Sequence, residues 1–195
     1  MLKHLPNALT ALRLILAPVV AWAVWQSYAD ASGAPPWTVL AAAAFIIAAL
    51  TDLFDGMAAR AFNAESKLGR IIDPIADKML VGLPLIALSV VAIQQNQALW
   101  MVAALASAVI ILRDLLITWM RFTAKDGEGV RVSQLAKWKT AVELVAVGAP
   151  IVLTALGSLT PPVWLGCVAL LVLAATLSAI TGLQYLAAKP RSQQN

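Results

Sequence analysis

Six apolar runs of about twenty residues follow one another along this chain, at roughly 8–26, 37–60, 71–94, 98–122, 134–157 and 162–187. A run of that length is what the hydrocarbon core of a bilayer demands of a helix. Break signals stand between them: SYADASGAPP after the first, QQNQ after the third, DGEGVRVS after the fourth and GSLTPP after the fifth. Strand-like alternation is lacking, and in lipid only helices or closed barrels satisfy the backbone. The composition agrees. Of 195 residues, 61% are hydrophobic and 12% charged, against about 45–50% and about 25% in soluble domains. The expectation is one all-α domain over residues 1–195, an integral membrane bundle of six transmembrane helices.

Basic residues give the orientation. Lys3 and Arg13 belong to the N-terminal end, and Arg60, Lys67, Arg70 and Lys78 surround the second loop. Arg113, Arg121, Lys125, Arg131, Lys137 and Lys139 lie in or near the fourth loop, and Lys189 and Arg191 in the tail. The first, third and fifth loops hold no lysine or arginine. Six spans put both termini on one face, and the basic residues mark it as cytoplasmic. Topology thus accounts for the net charge of +4, which gives no reason to expect a nucleic-acid partner. The basic start, apolar run and Ala29-Asp30-Ala31 imitate a signal peptide, but the first run is read as a retained span. The single cysteine, Cys167, excludes an intramolecular disulfide and reads as a small core hydrophobe.

Against this background the stretch TDLFDGMAARAFNAESKLGRIIDPIADKML, residues 51–80, stands out. Asp52 and Asp55 are three apart and Asp73 and Asp77 four apart, so each pair shares one helical face. Pro74 suits the first turn of its helix, where a missing N–H costs nothing. The short second loop makes the two helices antiparallel neighbours, with all four carboxylates converging just inside the cytoplasmic face. Solvation, or pairing with Arg60, Arg70 or Lys78, explains one such aspartate well. Four on two facing stripes repel one another unless cations lie between them. Hard divalent ions such as Mg²⁺ choose oxygen ligands, and two of them about 4 Å apart form a clamp for phosphoryl and phosphodiester chemistry. Gly56 and Gly69 let a ligand approach the backbone, and Arg60 offers a guanidinium fork for a phosphate. Taken singly, each glycine is better explained by close helix packing; beside the carboxylates, the ligand reading becomes the better one.

The pattern Asp52-x₂-Asp55-Gly56-x₂-Ala59-Arg60-x₈-Gly69-x₃-Asp73-x₃-Asp77 resembles the signature of the CDP-alcohol phosphotransferases, with every defining position filled. The resemblance implies transfer of a phosphatidyl-type group from a CDP-linked lipid to an alcohol, with release of CMP. It implies that Asp52, Asp55, Asp73 and Asp77 hold two divalent ions, Mg²⁺ or Mn²⁺, and that Asp77 doubles as the catalytic base. Asp52, Gly56, Ala59, Arg60 and Gly69 would then line the CDP site, with Ser66 a further nucleotide contact or simply a loop hydroxyl. A homodimer is also implied.

Secondary patterns narrow the acceptor. LPNALTALRLILAP at the start is similar to the LPNxLTxxR pattern of bacterial phosphatidylglycerophosphate synthases, as are DPIADKML, ILRDLLITWMRF and QLAKWKTAVELVA. That subfamily uses CDP-diacylglycerol and sn-glycerol 3-phosphate, at the cytoplasmic face of the bacterial inner membrane. The residues suit an anionic acceptor: Arg113, Arg121, Lys137 and Lys139 can form a basic pocket for its phosphate, and positive-inside anchoring is the other reading of these cations. Arg113 lies at a depth where arginine is expensive unless paired. Asp114 points about 100° away from it on an ideal helix and so is a poor partner. Glu143 is one turn beyond Lys139 and suited to pair with it. Other acceptors stay open: phosphatidylglycerol, giving cardiolipin, or serine or an inositol phosphate. So does a small cation transporter, although transporters place ion sites near the midplane among internal repeats. A membrane prenyltransferase fits the motif spacing less well.

Overall fold

A computed structural model of the chain describes residues 5–29, 35–62, 69–123 and 134–187. The described residues form six helices: α1 (Leu5–Ala29), α2 (Pro35–Phe62), α3 (Gly69–Gln94), α4 (Trp100–Thr123), α5 (Gln134–Ala155) and α6 (Pro161–Ala187). They match the six expected spans to within a few residues, and the described residues contain no strand. All but α2 are long and apolar enough to cross a bilayer. Among the described side chains of α2, the apolar stretch is the shorter Pro36–Asp52. The chain is therefore a multi-pass helical membrane protein.

The connections end their helices by recognisable chemistry. After α5, Gly157 adopts φ 64°. Its N–H donates to Thr154 O at 3.0 Å, and the N–H of Ser158 donates to Leu153 O at 2.8 Å. This is the Schellman arrangement, which occupies otherwise orphaned carbonyls. Asn96, at φ 46°, performs the same service after α3, with Gln97 N–H bonded to Ala92 O at 3.0 Å. The following turn is pinned from a distance, because Trp164 Nε1 on α6 donates to Ala98 O at 2.7 Å.

Packing departs from the expected arrangement. The short second loop predicts α2 and α3 as direct neighbours, yet among the described residues these two helices touch little, while each packs extensively on α1. Small side chains on α1 make the wedge possible: Ala17, Val20 and Ala23 are completely buried. Small residues let membrane helices approach closely, and close approach drives association where lipid is as apolar as the protein. Around this three-helix unit, α4 and α5 pack on α6, α5 also meets α2, and α3 meets α4. A β-carbon on Gly148 of α5 would lie 2.6 Å from Phe45 Cε1 on α2, so the phenyl ring fills the space that the glycine leaves. Pro74 needs a second correction. It sits inside α3, in the second turn after Gly69, where it cannot donate to the carbonyl four residues back.

Large apolar side chains cover the outside. Ile15, Leu105, Leu112, Leu115, Trp119 and Leu183 are all exposed, whereas Arg13, Asp114, Lys139 and Glu143 are buried. In water this arrangement would expose an aggregating surface. In a bilayer it is the expected solution, with polar groups turned into the bundle.

Candidate active site

Among the described residues, charged side chains inside the bundle gather at two places, both anchored on α3. At the first, Arg13 of α1 donates from Nη1 to Asp52 Oδ1 on α2 at 2.6 Å, and the same nitrogen bonds Asp77 Oδ1 on α3. One turn toward the start of α1, Thr10 Oγ1 donates to Asp73 Oδ1. Thr10 and Arg13 are three residues apart and so share the face of α1 that lies against both acidic helices. The α1 wedge is thus the element that joins carboxylates on α2 and α3.

The burial of these groups is uneven. The Arg13 side chain is 2% exposed, while those of Asp52 and Asp77 are 40% and 44% exposed. The arginine forms a floor, and the carboxylates are open to whatever enters above it. Two acceptors sharing one donor nitrogen have their oxygens within about 6 Å of each other. Oxygens that converge on one cationic atom suit a hard divalent ion, which takes carboxylate ligands. Among the described residues no group of three or more possible ligands surrounds a single point. Asp52, Asp73 and Asp77 are all drawn into the cluster, and the Asp55 side chain lies outside the described residues.

The CDP-site candidates fall largely in that same outer category. Gly56, Ala59 and Arg60 are on the helical backbone of α2 and Gly69 opens α3, but the side chains of residues 53–71 are not described, and Ser66 lies outside the described residues.

The second cluster gathers around Asp114 of α4. Its Oδ2 accepts from Lys78 Nζ of α3 at 2.6 Å. Its Oδ1 accepts from Lys139 Nζ of α5 at 2.7 Å and from Arg113 Nη1 at 2.8 Å. Lys139 also meets Glu143 Oε2 at 2.9 Å, as the spacing of four predicts. The expectation that Asp114 is a poor partner for Arg113 is overturned. An ideal helix does separate neighbouring Cβ directions by about 100°, but the flexible arginine stem curls back far enough for its guanidinium to reach the adjacent carboxylate. Arg113 Nη2 continues to Thr181 Oγ1 on α6 at 3.1 Å. Two of the four expected acceptor cations, Arg113 and Lys139, therefore meet here. The Arg121 and Lys137 side chains lie outside the described residues.

Four residues of these clusters escaped the sequence reading as site candidates. Arg13 reads there as a topological charge, Thr10 as part of a motif and Asp114 as a poor partner. Lys78 reads as a topological charge or a partner for the motif aspartates, whereas its described bond is to Asp114. The signal for Arg13 was nevertheless available, since an arginine well inside an apolar run is costly unless paired. Lys78 gave none: on α3 it directly follows Asp77, and only the fold reveals that neighbours in sequence serve different clusters.

Comparisons with known proteins agree with one another. A family model described as CDP-alcohol phosphatidyltransferase matches residues 3–180. A Cereibacter sphaeroides protein named CDP-diacylglycerol–glycerol-3-phosphate 3-phosphatidyltransferase is 36% identical over 153 residues, covering 73% of this chain and 61% of that protein. A Mycobacterium tuberculosis protein named probable phosphatidylglycerophosphate synthase is 34% identical over 186 residues, covering 95% of this chain and 81% of that protein. A Rickettsia felis protein bearing the same name as the first is 34% identical over 189 residues, covering 95% of each chain.

Proposed function

The chain belongs to the CDP-alcohol phosphatidyltransferase family, and we propose that it transfers the phosphatidyl group of CDP-diacylglycerol to sn-glycerol 3-phosphate, giving phosphatidylglycerophosphate and CMP. The names of the relatives support this acceptor. One structural observation carries the chemistry: Asp52 and Asp77, from two helices, converge on a single cation, the Arg13 guanidinium, while remaining open on the other side.

Asp52, Asp55, Asp73 and Asp77 would hold two Mg²⁺ or Mn²⁺ ions, which when bound neutralise charge on the pyrophosphate and on the leaving CMP. The remaining work falls to the chain. Asp77 accepts the proton of the acceptor's 1-hydroxyl. The resulting alkoxide forms a bond to the lipid-side phosphorus, the anhydride bond breaks, and CMP departs with that electron pair. Arg13 holds Asp77 and Asp52 at a fixed separation, and Thr10 does the same for Asp73. Gly56, Ala59, Arg60, Ser66 and Gly69 are assigned to the CDP moiety. Arg113 and Lys139, with Arg121 and Lys137, are assigned to the acceptor phosphate, and Lys78 joins them through Asp114. At that junction three cations, Lys78, Arg113 and Lys139, face two carboxylates, Asp114 and Glu143. The surplus positive charge favours an anionic acceptor.

The lysines and arginines concentrated at one side of the spans support a reading with both termini and the aspartates at the cytoplasmic face, and the bacterial relatives support an inner-membrane location. Family membership further suggests a homodimer. The deciding experiment is CMP release by the purified protein given CDP-diacylglycerol and Mg²⁺, with glycerol 3-phosphate, phosphatidylglycerol, serine or inositol phosphate as acceptor. Release with glycerol 3-phosphate alone is expected. Release only with phosphatidylglycerol would reassign the chain to cardiolipin synthesis, and no release with any acceptor would sink the proposal.

A further inference from the structure

Arg113 is placed by α6 as much as by its own helix. Its Nη2 donates to Thr181 Oγ1 at 3.1 Å. That hydroxyl in turn lies 2.9 Å from Leu177 O and 3.0 Å from Ser178 O, one turn back. A hydroxyl has one proton and two lone pairs. With the proton directed to its own backbone, Thr181 faces the guanidinium purely as an acceptor. The neighbouring residue shapes the rest of the arginine. A β-carbon on Gly182 would lie 2.9 Å from Arg113 Cγ and 3.3 Å from Nε. Cγ is the base of the stem rather than its free end, so it has little room to give way. The bare backbone of α6 thus lets the stem lie flat, and the flattened stem brings Nη1 to Asp114 Oδ1 at 2.8 Å.

The helix that does this carries no charged residue in its whole length, and Thr181 and Gly182 lie just beyond the stretch matched by the family model. We infer that Thr181 and Gly182 are positioning residues that fix the Arg113 guanidinium for the phosphate of the acceptor alcohol, so that an uncharged helix sets acceptor selectivity. This rests on the assignment of the Arg113 cluster to the acceptor. It does not involve the four motif aspartates. Close packing of α4 on α6 would explain a glycine alone, but it does not call for an oriented acceptor one residue earlier on the same guanidinium.

The test compares KM for glycerol 3-phosphate, KM for CDP-diacylglycerol, kcat and the thermal midpoint in Arg113→Gln, Gly182→Ala, Thr181→Val and Thr181→Ser. Displacing a positioned group by about an ångström suffices for large kinetic effects. Gly182→Ala and Thr181→Val should raise the acceptor KM about tenfold while kcat and the KM for CDP-diacylglycerol stay within about twofold. Thr181→Ser keeps the acceptor oxygen and should restore the wild-type acceptor KM. A fall in kcat with equal movement of both KM values, or a lowered midpoint alone, would show a merely structural role and overturn the inference. If Arg113→Gln raises the acceptor KM but Gly182→Ala and Thr181→Val do not, the inference fails and the acceptor assignment survives. If Arg113→Gln leaves that KM unchanged, the acceptor assignment fails and the inference goes with it. Should Gly182→Ala not fold, the Thr181→Val and Thr181→Ser pair decides by the same criteria.

Discussion

Arg13 and Asp52, 39 positions apart in sequence, meet through an Nη1–Oδ1 bond of 2.6 Å across the α1–α2 contact. The same arginine nitrogen reaches Asp77. One buried cation from the first helix thus sets the spacing of two carboxylates from the second and third, and most of the testable consequences concern that spacing or its counterpart around Asp114.

Arg13→Ala removes the cation and leaves Asp52 and Asp77 facing each other. Bonds to charged groups contribute about 1.5–3 kcal/mol where buried. Solvent screening of the half-open carboxylates brings the expected loss of stability to the bottom of that range or below it, about 1–2 kcal/mol. Thermal unfolding in detergent with EDTA should show the drop, and Mg²⁺ should recover part of it by replacing the missing positive charge. Equal destabilisation with and without Mg²⁺ would mean that Arg13 and the metal do not share these carboxylates.

Asp77→Asn keeps the side-chain volume but cannot take the proton. Transfer should fall by at least about 100-fold, the lower range for loss of a general base, while the helical circular dichroism and thermal midpoint stay near those of the parent. Asp52→Ala should likewise abolish turnover in a folded protein. Wild-type turnover in either variant would remove the aspartate cluster from the mechanism.

Chelation should silence the enzyme reversibly. Dialysis against EDTA is expected to remove CMP release, and Mg²⁺ or Mn²⁺ to restore it, because oxygen-only donor sets suit such hard cations. Full activity after exhaustive chelation would contradict the assignment of ions to Asp52, Asp55, Asp73 and Asp77.

Asp114 is almost fully buried and joins three cations from three helices. Asp114→Asn retains the shape and loses the charge, leaving Lys78, Arg113 and Lys139 with too little compensation. Removing one partner from a buried ionic group costs about 3–5 kcal/mol, so the thermal midpoint should fall by several degrees, more than for Arg13→Ala. A shift below about 2 °C would indicate that water already solvates these groups.

Gly148→Ala tests the packing of α5 on α2. The added methyl would lie 2.6 Å from Phe45 Cε1, and overpacking of this kind costs about 1–3 kcal/mol. Phe45→Leu should relieve much of that cost in the double variant, giving a coupling energy measurable by a mutant cycle. Additive effects would show that the two residues do not compete for the same space.

The helices were legible because a bilayer leaves a chain few choices: apolar length, break residues and the period of the helix give six elements close to their observed bounds. That Asp52, Asp73 and Asp77 gather inside the bundle was legible because a carboxylate in an apolar chain is too costly to be incidental; their expected roles await the tests above. Helix adjacency was not. Loop length suggested that α2 lies against α3, but Ala17 and Ala23 make α1 slim enough to pass between them, and nothing local records which helices a small-residue face will meet. The ion pairing of Arg113 was missed for a related reason. Ideal-helix geometry fixes where a Cβ points, whereas a guanidinium several bonds away is placed by what surrounds it, here Thr181 and the bare backbone at Gly182.

Asp77 and Lys78 are consecutive on α3, yet one belongs to the Arg13 cluster and the other to the Asp114 cluster. Their directions differ by about 100° around the helix axis. A smooth apolar helix in lipid is free to roll, since one greasy face is as good as another. Two ionic tethers a quarter-turn apart remove that freedom, because any roll that shortens one stretches the other. The azimuth of α3 is thereby locked, and the Asp77 carboxyl group, proposed above as the proton acceptor, is aimed by the lysine beside it.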